Sequence, residues 1–317
     1  MATTQTADKL GTSTPWKLQR IRYMWKYRTL YFLALPPILY FVVFKYIPMF
    51  GSIIAFKNYN IFKGILDSPW AGMDHFRAML EYPEFRRILS NTLLINLYDL
   101  LLSFPAPIVL ALLLNEIRST LYKKWVQTVI YMPHFLSWVI VSGIVVGFLS
   151  PSSGMFNTVL GWFGAEPIYF MGDSAYIRSI IIGSGLWRDI GWGTIIYLAA
   201  LAGIHPDLYE AAEIDGAGRF QQTVSITLPA LLPTIAVLFM LKIGHFMDFG
   251  FERVFVFLNP LNSQNGEIID TYIYKAGLLE QQYSYTTAIG LFNSVLGLLL
   301  VFLANHLHKK ATGESLY

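Results

Sequence analysis

The chain has no cysteine, which excludes disulfides, iron–sulfur clusters and thiolate zinc sites. Charge is also scarce: 14% of the 317 residues are Asp, Glu, Lys or Arg, against roughly 25% in ordinary soluble domains. The net charge of +3 is small, and no basic run is interleaved with base-stacking aromatics, so nucleic acid is not an expected partner. A phosphate-cradling GxxxxGK loop followed by Ser or Thr is missing, as are an HExxH helix and a GxSxG elbow. No carboxylates and histidines stand at metal-ligand spacing with a second ligand set. The sequence therefore predicts a non-catalytic subunit, with no metal and no cofactor of its own.

What is present is apolar: 55% of residues are hydrophobic and 16% aromatic. A helix crossing about 30 Å of hydrocarbon needs roughly 20 mainly apolar residues. Six stretches qualify, near 29–50, 89–114, 126–149, 179–203, 230–250 and 284–305. The segment before Thr29 is polar and basic, without a small-residue cleavage site after a short apolar core, so the first run reads as a retained helix. Pro36, Pro37, Pro105, Pro107, Pro133 and Pro233 fall inside these stretches and predict kinks that neighbouring helices must satisfy. The expectation is an all-α membrane protein with six transmembrane helices at 29–305, between a basic N-terminal segment 1–28 and a tail 306–317.

Basic residues orient it. Lys9, Lys17, Arg20, Arg22, Lys26 and Arg28 precede the first span, Arg118, Lys123 and Lys124 fill the second loop, and Lys309 and Lys310 follow the last span. Positive charge stays inside, so both termini are expected in the cytoplasm. The loop from Pro151 to Ile177 has no Lys or Arg and reads as exterior. Lys57, Lys63, Arg77, Arg86 and Arg87 run against the trend in the first exterior loop.

The loop at 204–229, between the fourth and fifth spans, reads IHPDLYEAAEIDGAGRFQQTVSITLP. Pro206 suits a first helical turn, and Asp207, Glu210 and Glu213 place negative charge where the helix dipole favours it. Gly216 and Gly218 permit a tight turn before a second helix that runs to Pro229. An acidic loop among basic interior loops suits a surface for a soluble partner. Glu210, Ala211, Ala212, Gly216, Ile226, Leu228 and Pro229 meet every fixed position of a signature: Glu-Ala-Ala, three residues, Gly, nine residues, then Ile-x-Leu-Pro. On these residues the chain resembles the permease subunits of binding-protein-dependent ABC importers.

The form YEAAEIDGAG is similar to the carbohydrate branch. The segments FKYIPMFGSIIAFKNYN, SPWAGMDHF and IDTYIYKAGLLEQQYSYTTAIGLFNSVLG resemble the LplB-like polysaccharide permeases, and within them the alginate-oligosaccharide permeases. The resemblance implies a type I importer permease fold with a cytoplasmic coupling helix, in the bacterial inner membrane. It also implies a second permease of different sequence, two ATPase subunits that bind ATP and magnesium, and an extracytoplasmic solute-binding protein. Glu210 would then make the charged contact to the ATPase, Ala211 and Ala212 would allow close approach, and Gly216 would permit the turn.

Ionisable groups inside a bilayer face cavities or partners. Lys242, His245 and Phe249 stand at i, i+3 and i+7 of the fifth span and would share one face, with Phe246 and Asp248 beside them. The fourth span adds Trp187, Arg188, Asp189 and Trp192, and the third adds His134 and Trp138. Aromatic faces and polar side chains together suit an oligosaccharide, and Arg188 with Lys242 favours an acidic one of uronate type. The plainer alternative makes Lys242–Asp248 and Arg188–Asp189 structural ion pairs and the tryptophans interface anchors. Asn157, Trp162 and Glu166, around the amphipathic stretch 155–163, are candidates for contact with the binding protein. Two other classes fit composition alone: an ion-coupled secondary carrier with Asp248 or Asp189 as ion site, and a membrane-embedded enzyme or assembly factor.

Overall fold

The computed structural model describes residue 23 and residues 25–312. Lys9, Lys17, Arg20 and Arg22 of the expected cytoplasmic segment, and residues 313–317 of the tail, lie outside the described residues. The chain divides into two units, residues 1–53 and 54–317. The first holds most of α1, the helical run Arg28–Phe56, which carries Pro36 and Pro37 inside its opening stretch Arg28–Phe41.

The second unit is helical, with no strand among its described residues. A short α2 (Asp74–Glu81) leads into α3 (Pro83–Asn115). The pair α4 (Thr120–Phe135) and α5 (Trp138–Phe148) is bent by 106° at its junction. Then come α6 (Met155–Trp162), α7 (Ile177–Leu201) and α8 (Pro206–Ile214). Last are α9 (Arg219–Gly244) and α10 (Tyr283–Thr312). Among the described residues α1, α3, α9 and α10 are long and apolar enough to cross a membrane, and α4 with α5 makes a fifth if counted as one span. The expected fourth span, α7, has the length, 25 residues or roughly 37 Å at 1.5 Å per residue. Arg188 and Asp189 at its centre keep it out of the apolar set.

Burial explains that exception. Ten residues of α7 are buried, from Ile177 to Leu201, because α3, α4, α5 and α9 pack around it. At one end Ala111, Tyr197, Leu201 and Leu231 join α3, α7 and α9. Further along, Ile95, Ile177, Ile180, Ile181, Phe249, Val254 and Phe257 form a second core. A third joins Met79, Phe85 and Ile88 to Ile269, Tyr272 and Ile289. A polar helix wrapped by apolar ones exchanges its lipid contacts for side-chain partners.

The fifth span ends earlier than its sequence suggests. α9 stops at Gly244 with His245 as its cap, and the chain turns at Gly250, where φ is +96°. Residues 245–282 then fold back through short helical pieces at Phe251–Phe255 and Ser263–Gly266 and a longer helical run Ile269–Tyr272 and Ile273–Leu279, with asparagines holding the turns between the first of them. Asn259 and Asn262 donate to Met171 O at 2.9 and 3.2 Å, and Asn265 donates to Ser174 O at 3.0 Å. Three of the five basic residues at 57–87 that broke the charge rule bond within their own stretch of the chain. Lys57 Nζ closes a turn on Ile65 O and Leu66 O, at 2.7 and 2.9 Å, Arg86 reaches Leu80 O, and Arg87 bonds Glu84 at 2.8 Å.

In the returning segment 245–282, burial, with Asp248 nearby, pushes the Asp270 carboxyl up to about 6 from 3.8. A raised acid pKa means the folded state holds its proton more tightly, so stability is full below pH 4 and falls as pH rises to 6. Asp270→Asn is therefore expected to stabilise the protein at pH 8 by about 1–2 kcal/mol after allowing for partial exposure. At pH 4 it should be neutral. Thermal unfolding at the two pH values checks this, and an equal shift at both would exclude it.

Candidate functional site

Two sites emerge, one on the surface and one inside. The surface site is the loop at 204–229. Pro206 opens α8 with Asp207 in its first turn, as its missing N–H and fixed φ favour. The helix ends in a Schellman motif: Ala217 N donates to Ala212 O at 2.8 Å, and Gly216 N donates to Glu213 O at 3.0 Å. Gly216 occupies the left-handed position of that motif, at φ +79°, which a side chain would strain. Gly218 does not share this role. It is extended, at φ −71°, and caps the next turn. Tyr209 O–H lies 3.0 Å from Thr227 Oγ1, and Arg219 pairs with Glu116 at 3.3 Å. α8 is thus tied to the base of α9, and the start of α9 is in turn tied to Glu116, just past the end of α3.

Glu210 and Ala211 are exposed and Ala212 is half-buried. Leu208, Ile214 and Phe220 are exposed at 52, 87 and 83%, and Asp207, Glu210, Glu213 and Asp215 in the same stretch of chain are exposed too. Exposed apolar side chains among exposed carboxylates are of the composition that suits a partner with a basic-edged cleft. Ile226 and Leu228 are half-buried and Pro229 is exposed, where the widened turn Thr223–Thr227 passes into Leu228–Gly244.

The inner site is a cavity of about 310 Å³ between α3, α4, α7 and α9, lined by Asp99, Ser103, His134, Arg188, Asp189, Trp192, Lys242 and Arg253 among others. Asp99 is 1% exposed. It accepts from Lys242 at 2.6 Å, Arg253 at 2.9 Å and Ser103 at 2.9 Å. Opposite, Asp189 Oδ1 accepts from Arg188 at 3.0 Å and from His134 Nδ1 at 2.8 Å. His134 stacks on Trp192 with 4.4 Å between centroids and 6° between planes. Arg188 Nε also donates to Leu136 O at 3.1 Å, a carbonyl set free where α4 breaks from α5. That is how a broken helix is tolerated at membrane depth. Trp138 lies under the Arg188 guanidinium at 4.6 Å.

Six of the ten expected pathway residues thus gather in or against this cavity: His134, Trp138, Arg188, Asp189, Trp192 and Lys242. Phe249 touches it from behind, 4.3 Å from the Arg253 guanidinium. The other three lie elsewhere. Trp187 lines a separate apolar groove with Ile144, Phe148 and Tyr176. His245 is exposed, and Phe246 packs beside the Met247 core. The expected face of Lys242, His245 and Phe249 does not form, because the helix ends at Gly244. The pair Lys242–Asp248 is corrected as well: the partner of Lys242 is Asp99. Arg188–Asp189 does pair.

Asn157 is a further correction. It is 6% exposed; its amide donates to Ser150 O and Ile168 O at 3.0 Å, and its oxygen accepts from Ile168 N at 2.8 Å. It staples the loop and turns no polar group outward. Trp162 and Glu166 are exposed. Two central residues, Asp99 and Arg253, escaped the sequence reading. Asp99 left a signal, as the single charged residue in 89–114 and so itself a mark of an intramembrane site. Arg253 left none, because it follows the fifth span and folds back through space.

Residues 103–313 match the family of binding-protein-dependent transport system inner membrane components. Protein LplB of Bacillus subtilis is 45% identical over 97% of this chain and 95% of its own length. The polygalacturonan/rhamnogalacturonan transport system permease YteP of the same organism is 49% identical over 91% of this chain and 90% of its own. A chain in the crystal structure of a bacterial ABC transporter involved in the import of the acidic polysaccharide alginate superposes with a TM-score of 0.86. It is 42% identical, covering 93% of this chain and 99% of that one. A chain in the crystal structure of a bacterial alginate ABC transporter in complex with an alginate pentasaccharide-bound periplasmic protein is similar as well, at 41% identity and a TM-score of 0.86 over 93% of this chain and 99% of that one. The chain belongs to the family of binding-protein-dependent transport system inner membrane components.

Proposed function

We propose that the chain is one of two permease subunits of an ATP-driven importer of acidic oligosaccharides, built from six membrane spans with both termini in the cytoplasm of a bacterial cell. α7 supplies the fourth span and the bent pair α4–α5 the third. Its partners are a second permease of different sequence, two ATPase subunits that hold ATP and magnesium, and a solute-binding protein outside. The observation that carries the reading is α8: an exposed acidic helix with apolar side chains, its end fixed by Gly216 and its flank tied to α9. When paired ATPases close on ATP, a helix held in this way moves as a rigid handle on the spans, and the cavity alternates its access.

The acidic substrate rests on the cavity's charge and on the substrates named for YteP and the alginate importer. A complex reconstituted in vesicles with its ATPases and binding protein is expected to take up uronate oligosaccharides only with ATP. Neutral oligosaccharides of equal length should compete at least about tenfold less well. Equal competition by neutral sugars would remove the acidic assignment, and uptake without the ATPases would remove the importer reading.

A further inference from the structure

The cavity's charges do not cancel. Arg188, Lys242 and Arg253 bring three positive charges against two negative ones from Asp99 and Asp189. The pairing locates the excess. Asp189 accepts from Arg188, so that pair is closed, whereas Asp99 serves both Lys242 and Arg253 and leaves one positive charge uncompensated.

The two cations of that cluster differ. The Arg253 side chain is 10% exposed. It donates to Asp99 and, at 3.2 and 3.3 Å, to Ile181 O, with its guanidinium over Phe249. It crosses α7 at Gly185, where a Cβ would strike the guanidinium. Arg253 is therefore committed to the fold. The Lys242 side chain is 42% exposed. Of the three hydrogens an ammonium carries, one is bonded, to Asp99 Oδ2 at 2.6 Å. The other two have no protein acceptor among the described residues and belong to a group that lines the cavity.

We propose that Lys242 is the point at which the pathway recognises a sugar carboxylate, and that Asp99 is the residue that positions it. A passing uronate accepts the ammonium hydrogens that Asp99 leaves unused, while its ring meets the flat His134–Trp192 pair, of which Trp192 is 46% exposed. Asp99 also limits the site to a single positive charge, so the carboxylate is held firmly enough to enter and loosely enough to leave. Arg188, neutralised by Asp189 and bonded to Leu136 O, braces the helix break. This assignment rests on the importer reading and names the atoms behind its acidic preference.

The test uses the whole reconstituted complex and two substrates of one shape, a uronate tetrasaccharide and its neutral methyl ester. Each variant's acid-to-ester uptake ratio is divided by that of the wild type, so the preference of the unchanged binding protein cancels and poor assembly lowers both substrates alike. Lys242→Gln is expected to lower this ratio by about tenfold or more, the worth of a charge-assisted hydrogen bond. Lys242→Arg, which keeps charge and pairing, should hold it within about threefold. A ratio unchanged in Lys242→Gln, or lowered as far in Lys242→Arg as in Lys242→Gln, overturns the assignment and leaves the importer reading intact. Absence of ATP-driven uptake in the wild type would instead strike at that reading.

Discussion

Exchanging Glu210 for lysine is expected to release the ATPase subunits and to abolish ATP-driven uptake while the permease itself stays folded. Glu210 is exposed and makes no ion pair or side-chain hydrogen bond among the described residues, so its reversal costs the fold no more than a few tenths of a kcal/mol. At a docked surface the same change sets a positive charge against a basic partner. Truncating one member of a buried charge pair costs about 2–5 kcal/mol, and reversal adds repulsion. That corresponds to a loss of affinity of at least roughly thirtyfold. Co-purification of the ATPases with the tagged permease, together with thermal unfolding of the permease alone, separates the two effects. Retention of both ATPases by the Glu210→Lys complex would sink the coupling role of α8.

The second large effect is expected inside. Asp99→Leu removes the one carboxylate that Lys242 and Arg253 share. Arg253, 9% exposed, is then left as a buried cation with only Ile181 O as acceptor. Breaking a buried pair from one side costs about 3–5 kcal/mol, which for a chain of this size lowers Tm by roughly 10 °C. Replacing both partners by apolar groups is often close to neutral. Asp99→Leu combined with Arg253→Met should accordingly recover most of the loss, with the half-exposed Lys242 turning to water in the cavity. Additive destabilisation in the double variant would mean that the two residues do not act as a pair.

Much of this was legible in the chain. The helices appear where the apolar runs lie, because a stretch of some twenty apolar residues has few other ways to satisfy its backbone in lipid. The local structure of the loop at 204–229 was legible because its parts are local. Pro206, the first-turn acid and Gly216 act within a dozen residues, and the glycine took the left-handed position its spacing suggested. Local chemistry misled where two glycines stood close: Gly216 and Gly218 read alike, yet only one meets a positive φ.

The inner site was only half legible. Helical spacing put Lys242, His245 and Phe249 on one face, but α9 ends at Gly244 and the face dissolves. Asn157 read as a surface polar group and is instead bonded inside its loop. Trp187 and Arg188 are neighbours in sequence, yet α7 sends them to an apolar groove and to the polar cavity. The sequence determined the class, the helix and glycine turn at 206–216 and the presence of charge within the apolar runs, because composition, local turns and apolar length need no knowledge of distant partners. Tertiary structure decided which distant charges meet. Asp99 finds Lys242 and Arg253 across separations of 143 and 154 residues, and only the packing of α3, α7 and α9 brings those carboxylate and cationic groups within hydrogen-bonding reach.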